Sequence, residues 1–541
     1  MSNAKVIARV LESGQLECRI VPGKGEELVL TGSPAELEPS MDGPSSLSGN
    51  RALVDNAWAF AKFTYLKVSL PTEAEQKAAE KRAGVHRQVA AWIAELAADI
   101  ERTTKGGWCS ACFTDCDHRK VRNPPGPLPA YLCVNCGSPT LPCAAPSCDN
   151  MATRGHGALR TPRYCAEHRH EIPGFEKASR KMESLEEYRA FLEFEKPNLS
   201  RTTKLVGAGL VTLATGGLAA YAAAPAIGGA IGSMASTYTG AAASSYGLAL
   251  LGGGSISAGG FGMAGGAYVV AAMGGTLGSA LGASVTNAYV RDDTSFMIEK
   301  LQDGPGVPVV VSSGFLNEND SGWGGWRDIV TRRYPDSPVY RVHWGSKELK
   351  DLAMLAGGGA AKVAGPAALK KAALKATKAG AKKLAPLAPV LAVSSLAKNP
   401  WTVAKERANK TGAILADLLA RTTVESYVLI GHSLGARVMV MATESLGTKS
   451  DGPRLQSVHL LGAAVAADDD WLTLTARVDD AVYNYHSAND GILTYLYTIG
   501  QLGQTAAGVN GFSPASGKLR NIDVSGQVDG HLDYLSNVVL L

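Results

Sequence analysis

The sequence predicts an α/β protein with a mostly parallel sheet over residues 291–541, preceded by an N-terminal α+β region. Three observations predict it. Beyond Arg291, short apolar runs rich in β-formers alternate with helix-like segments, the order in which crossover helices build a parallel sheet. Of the nine cysteines, all but Cys18 fall between Cys109 and Cys165, which marks a separate module. Between the two parts, residues 205–290 contain no Asp, Glu, Lys, Arg or His.

A chain of 541 residues should hold more than one domain, with ample material for a large core. The formal charge of +4 is close to balanced, so composition calls for no nucleic acid and no acidic partner. The opening "MSNAKVIARVLESGQLECRI" lacks an apolar h-region and a small-residue cleavage site, so no classical secretory signal is expected. Clustered cysteines suit metal binding in a reducing compartment better than a disulfide framework, which points to a cytoplasmic address for the polar parts.

Taken in order, residues 1–105 open with short strands at "KVIARVLES", "LECRIVP" and "EELVLTG" and continue into helices over roughly 51–68 and 72–104. The second helix sets Val89, Trp92, Ile93, Leu96 and Ile100 on one face, a stripe suited to core packing.

Residues 106–172 form the cysteine module. Cys109-x2-Cys112 and Cys133-x2-Cys136 are two knuckle-type pairs separated by a loop. Four thiolates at that spacing can close a tetrahedral Zn²⁺ shell of the zinc-ribbon kind. Cys143-x4-Cys148 and Cys165-x2-His168 make a plausible Cys3His site. Cys116 is left over, and a cross-braced pairing, or His118, His156 or His170 as a substitute ligand, stays open. With every position filled by protein, both zinc sites would be structural. The flanks carry no strong basic run, so fold stapling is favoured over nucleic-acid binding, and a protein partner could dock on this region.

A charged helical linker is read over residues 173–203, and the uncharged block follows over 204–290. "LVGAGLVTLATGGLAAYAAA" before Pro225 has about the length of a bilayer-spanning helix. Gly274, Gly278 and Gly282 recur at every fourth position, as do Gly228 and Gly232, a spacing that lets helix backbones approach closely in membranes. Membrane insertion or association through this block is favoured over a buried Gly/Ala-rich helical hairpin. Lys204 and Arg291 bracket the block, so an even number of spans would keep both flanks on the cytoplasmic side.

Within residues 291–541, strands are predicted at "VPVVVS", "PVYRVHW", "SYVLIG", "QSVHLLG", "AVYNYHS" and "LRNIDVS". A Lys/Ala-rich helical insert at 350–398 sets Lys371, Lys375, Lys378 and Lys382 on one stripe. Such a helix could lie on anionic lipid, cap a site, or present a simple solvated face.

The chemistry concentrates at Gly431-His432-Ser433-Leu434-Gly435, the sole Gly-x-Ser-x-Gly match in the chain. An apolar strand precedes it and a helix-like run follows. A sharp strand-to-helix turn exposes the serine, and the glycines two before and two after relieve crowding. The remaining members should follow in the order acid, then histidine. Asp490 lies just beyond a strand and His531 sits in a Gly-His loop after the last one. Ser433, Asp490 and His531 thus form an ordered catalytic triad, with Asp468, Asp469, Asp470, Asp529 and Asp533 as competing acids and His432 and His486 as weaker bases. Leu434 and, from the loop after "VPVVVS", Gly314 and Phe315 are the candidate oxyanion-hole donors. Trp323 and Trp326 are read mainly as packing residues.

The motifs "SGFLNENDSGWGGWRD", "YRVHWGSKEL", "IGHSLGARV", "LLGAAVAADDDW", "YNYHSANDGIL" and "NIDVSGQVDGHLDY" together resemble the transmembrane and coiled-coil domain protein four-like family over about residues 205–541. The resemblance implies an α/β-hydrolase fold, with Ser433, Asp490 and His531 in the triad positions. It implies no substrate, and residues 1–200 depart from the family pattern. The leading expectation is a membrane-associated serine hydrolase of the lipase or esterase type, acting on a lipid or other apolar ester. Two rival readings are a membrane-perturbing glycine-zipper effector and a catalytically silent scaffold with a zinc recruitment module.

Overall fold

The computed structural model describes residues 4–192 and 295–541, apart from 35–38, 70–72, 156–161, 170, 171, 173, 315–321, 346–399, 448–451, 468–470, 501–504, 514 and 516. Leu277, Gly278, Ala283 and Thr286 are described as isolated positions. Apart from these four positions, the predicted membrane block lies outside the described residues, as does the whole Lys/Ala-rich insert at 350–398. No helix among the described residues is long and apolar enough to cross a membrane.

The chain divides into two compact units, Met1–Arg180 with Ala190–Ala288, and Lys181–Arg189 with Tyr289–Leu541. The first begins with an antiparallel meander of β1 (Lys5–Val10), β2 (Leu16–Val21), β3 (Leu28–Gly32) and β4 (Ser40–Asp42). Alternation turns Cys18, Ile20, Leu28 and Leu30 inward, onto the helices Arg51–Ser69 and Glu73–Ala97. Trp92, Ile93 and Leu96 are buried in that core, with Val89 and Ile100 packed on its rim. Here the helix stops at Ala97, short of the predicted 104, because residues from Ile100 onward pair in a sheet.

That second sheet holds the cysteines. Strands β5 (Ile100–Trp108), β6 (Asp115–Val121), β7 (Tyr131–Cys133), β8 (Pro139–Pro142) and β9 (Met151–Thr153) run in this order, each antiparallel to the next. Its last three strands have only three or four residues each, and its core cluster is mostly cysteine, with Cys109, Cys133 and Cys136 buried and Cys112 and Cys116 packed against them.

The second unit is built on a seven-stranded sheet in the order β10-β12-β11-β13-β14-β15-β16. β10 (Met297–Gln302) is antiparallel to β12 (Val339–His343). All other pairs, through β11 (Val309–Ser312), β13 (Ser426–His432), β14 (Arg454–Leu461), β15 (Val482–His486) and β16 (Leu519–Asp523), are parallel. The six predicted strands form, and β10 is added at the edge. It escapes the sequence reading because "MIEKLQ" has one buried position, Ile298, among half-exposed ones. Central strands β11 and β13 are buried almost throughout, as strands covered on both faces must be. Residues 181–189, read from sequence as linker, pack within this unit: Met182 exchanges backbone hydrogen bonds with Arg421 and Thr423, each 2.8 Å.

Candidate active site and metal centres

Strand β13 runs straight into Ser433, and the helix Leu434–Gly447 starts at the next residue. Ser433 has φ of 60°, the left-handed region that costs a non-glycine residue of order 1 kcal/mol or more. The flanking glycines make the turn feasible. A Cβ on Gly431 would lie 2.5 Å from the Ala436 Cα and the Gly435 carbonyl oxygen, and one on Gly435 would overlap the Ser312 carbonyl. The strained turn is pinned by Ser433 N–H donating to Leu461 O at 3.0 Å and Ala464 N–H donating to Ser433 O at 3.2 Å.

The three sequence-predicted residues come together although they lie on three different loops. Ser433 Oγ is 2.8 Å from His531 Nε2, and His531 Nδ1 is 2.7 Å from Asp490 Oδ2. An ionised carboxylate can only accept, so Nδ1 carries the proton and Nε2 faces the serine hydroxyl as an acceptor. Ser433, Asp490 and His531 are 2%, 0% and 1% exposed, so the array acts in a low dielectric, where charge interactions strengthen.

Asp490 is fixed from both sides. Its Oδ1 accepts from Leu493 N–H at 3.0 Å, capping the helix Gly491–Gly500 and leaving Oδ2 for the imidazole. The loops after β15 and β16 are laced together: Ser487 Oγ donates to Val528 O at 2.8 Å, and Asn489 Nδ2 to Ser525 O at 2.8 Å. Among the competing acids, Asp529 is exposed and Asp468, Asp469 and Asp470 lie outside the described residues.

His432 takes a role that the motif did not reveal. Its Nε2–H donates to the His531 carbonyl at 2.8 Å, and its ring lies 5.0 Å from the His531 ring and 5.7 Å from that of Tyr534. Burial, helped by repulsion from His531, pushes its pKa down to about 3. It is therefore a neutral strut for His531 and not the weaker base inferred from sequence. No periodicity signal could have found it, because the contact joins residues distant in the chain.

Of the oxyanion candidates, Leu434 opens the helix, so its N–H has no intrahelical acceptor. Gly314 lies directly against it: a Cβ there would be 2.5 Å from Leu434 N. Phe315 lies outside the described residues. Trp326 is fully buried, and its Nε1–H donates to Ser313 Oγ at 2.9 Å, which holds the residue before Gly314.

In the cysteine module, two sets of four ligand atoms each lie mutually within 4.8 Å: Cys109, Cys112, Cys133 and Cys136, and Cys143, Cys148, Cys165 and His168. These are the two sets read from the spacing, and each could hold a metal ion. Sulfurs about 2.3 Å from a central zinc sit about 3.8 Å apart. Cys112 and Cys133 sulfurs are 3.8 Å apart, and those of Cys148 and Cys165 are 3.9 Å apart. In the second set, His168 presents Nδ1, 3.2 Å from the Cys165 sulfur and 3.7 Å from that of Cys143. Hydrogen bonding to Cys112 leads the effects that hold the Cys109 thiol well up, while Cys112 itself is held well down, first by Cys109.

These features define a mixed α/β protein whose central strand ends in a buried serine–histidine–aspartate array, joined to a metal-capable cysteine module. Residues 198–541 match a family described as "Protein of unknown function (DUF726)", and the chain belongs to that family. It is 27% identical over 344 residues to the rice (Oryza sativa subsp. japonica) "Transmembrane and coiled-coil domain-containing protein STS1", covering 61% of this chain and 49% of that protein. The Caenorhabditis elegans "Uncharacterized membrane protein F35D11.3" is 34% identical over 150 residues, 27% of this chain and 24% of its own. The Saccharomyces cerevisiae "Probable lipase MIL1" is 33% identical over 140 residues, 25% of this chain and 13% of its own. The chain thus spans about half the length of the rice relative and less of the others. The name of the rice relative bears out the resemblance read from the motifs.

Proposed function

We propose that this chain is a serine hydrolase of the α/β-hydrolase type that cleaves a carboxylic ester through an acyl-enzyme. The observation that carries this reading is the continuous hydrogen-bonded path Ser433–His531–Asp490, at 2.8 and 2.7 Å, with Ser433 held at φ 60°. The hydrolase architecture is further supported by one antiparallel edge strand on an otherwise parallel sheet, with the serine turn following central strand β13. A silent scaffold would have no use for a strained serine aimed at an imidazole.

In the reaction, Ser433 Oγ attacks the ester carbonyl while His531 Nε2 takes its proton. Asp490 holds the Nδ1–H tautomer and stabilises the imidazolium. The Leu434 N–H, with Gly314 packed against it as a second candidate donor, would face the developing oxyanion. His531 then protonates the departing alcohol. Water, deprotonated by His531, releases the acid and restores Ser433.

The substrate is proposed to be a lipid or other apolar ester met at a membrane. Support comes from the uncharged run 205–290, from relatives whose names describe membrane proteins, and from one whose name describes a probable lipase. Zinc is the cation proposed for both four-ligand sets, since thiolate and imidazole donors in tetrahedral spacing favour it. Zinc held there would tie together the short strands of the module and take no part in ester cleavage.

The test is labelling by a fluorophosphonate probe. Wild type should be modified at Ser433 and Ser433→Ala should not; equal labelling of the two proteins would refute the assignment.

A further inference from the structure

Cys116 and His118 belong to neither four-ligand set, yet they lie beside one. They alternate along β6 as i and i+2, which puts both side chains on one face of the strand. Across the β6–β7 ladder His118 pairs with Cys133, and across β5–β6 Cys116 pairs with Gly107. The ligand atoms of Cys116, His118 and Cys133 all lie within 4.8 Å of one another, and the Cys116 and Cys133 sulfurs are 3.4 Å apart.

The second observation is His118 itself. It is 0% exposed; backbone groups of Lys105 and Cys116 lie near its ring, but neither nitrogen meets full hydrogen-bonding geometry with them. A buried imidazole held this weakly carries a desolvation cost that a bound metal ion would offset. The Lys105 carbonyl influences the ring, and a backbone carbonyl is a usual resting place for the second N–H of a metal-bound histidine.

We propose that Cys116, His118 and Cys133 form a third metal position, for a soft divalent cation such as Zn²⁺, sharing the Cys133 thiolate with the neighbouring four-cysteine site. Electrostatics favour it. A zinc tetrathiolate is a dianion, and an adjacent cation bound by one further thiolate and a neutral imidazole reduces that charge. Three protein ligands would leave a fourth coordination position open. An open position is the mark of a site that accepts water or an external ligand, in contrast to the closed four-ligand sites. Binding releases the Cys116 thiol proton to solvent and involves no redox change.

The inference is independent of the hydrolase reading and rests on the four-cysteine site holding metal. It is tested on the full-length chain by elemental analysis after Zn²⁺ loading and desalting. Three equivalents are expected in wild type, with Cys116→Ser and His118→Asn each retaining two. Two equivalents in all three proteins would overturn the third position while leaving the four-ligand sites standing; no zinc at all would overturn every site together. Cadmium-113 NMR of the wild type gives an answer that needs no variant. Two cadmium resonances coupled to each other through the shared sulfur are expected. Uncoupled resonances at three-metal loading would show that Cys133 is not shared and would overturn the bridge.

Discussion

At the residue scale, Asp490 and His432 restrain His531 from two directions, one through a side-chain nitrogen and one through the backbone carbonyl. The two restraints fail differently. Asp490→Asn would keep the shape but favour the wrong imidazole tautomer, so kcat should fall by about 10⁴-fold. His432→Ala removes one buried hydrogen bond to the carbonyl, a loss of order 1–3 kcal/mol, and should lower kcat by about 10- to 100-fold. His432→Gln can still donate and should recover much of that loss. Since His432 is already neutral well above its pKa of about 3, the pH profile of kcat/KM should keep its midpoint in His432→Gln. A shifted midpoint would mean that His432 titrates in the reaction.

At the scale of elements, the strand-to-helix turn depends on absent side chains. Gly435→Ala would drive a Cβ into the Ser312 carbonyl on β11, where neither backbone can yield without moving the turn. The expected outcome is a loss of about 1–3 kcal/mol in chemical denaturation, with activity falling further because Ser433 shifts. The helix Pro400–Arg421 carries a second test. Asp417 and Arg421, one turn apart, form an ion pair at 3.1 Å with both side chains fully buried. Removing one partner by Asp417→Ala should cost about 3–5 kcal/mol, whereas replacing both with apolar residues of similar volume should cost much less. Some elements were plain in the sequence, and others were not. β11 and β13 announced themselves as apolar runs because both faces are covered. β10 is half exposed, so its pattern resembles a loop. Likewise the 72–104 helix reading overran Ala97, because the pairing of Ile100 with Val121 overrides local helix preference.

On the scale of the whole molecule, acid should destabilise the seven-stranded unit through two buried histidines. His432 and His459 are both pushed from 6.5 to about 3, in each case chiefly by burial. The unfolded chain therefore binds more protons between those values, so stability is full above about pH 6.5 and declines as pH falls toward 3. Each histidine adds at most ~1.4 kcal/mol per pH unit. Denaturant unfolding followed across that range should show the decline; a flat profile would contradict the buried neutral state. Metal removal should act elsewhere. A chelator should increase hydrogen exchange across residues 100–169 and leave β11 and β13 protected, because the cysteine module has a core made largely of candidate metal ligands and the seven-stranded sheet, among the described residues, does not.

By itself the sequence determined which residues could do chemistry and in what order. The Gly-x-Ser-x-Gly turn, the downstream acid and histidine, and the paired cysteines are local patterns, and local patterns survive in a linear string. Tertiary structure alone decided which atoms meet. It set Asp490 apart from the acids beside His531, turned His432 from a possible base into a strut, and laid Cys116 and His118 against Cys133. Those relations depend on strand register and on loops closing across tens of residues. Hydrogen bonds and burial then act over a few ångströms, a distance that spacing along the chain does not encode.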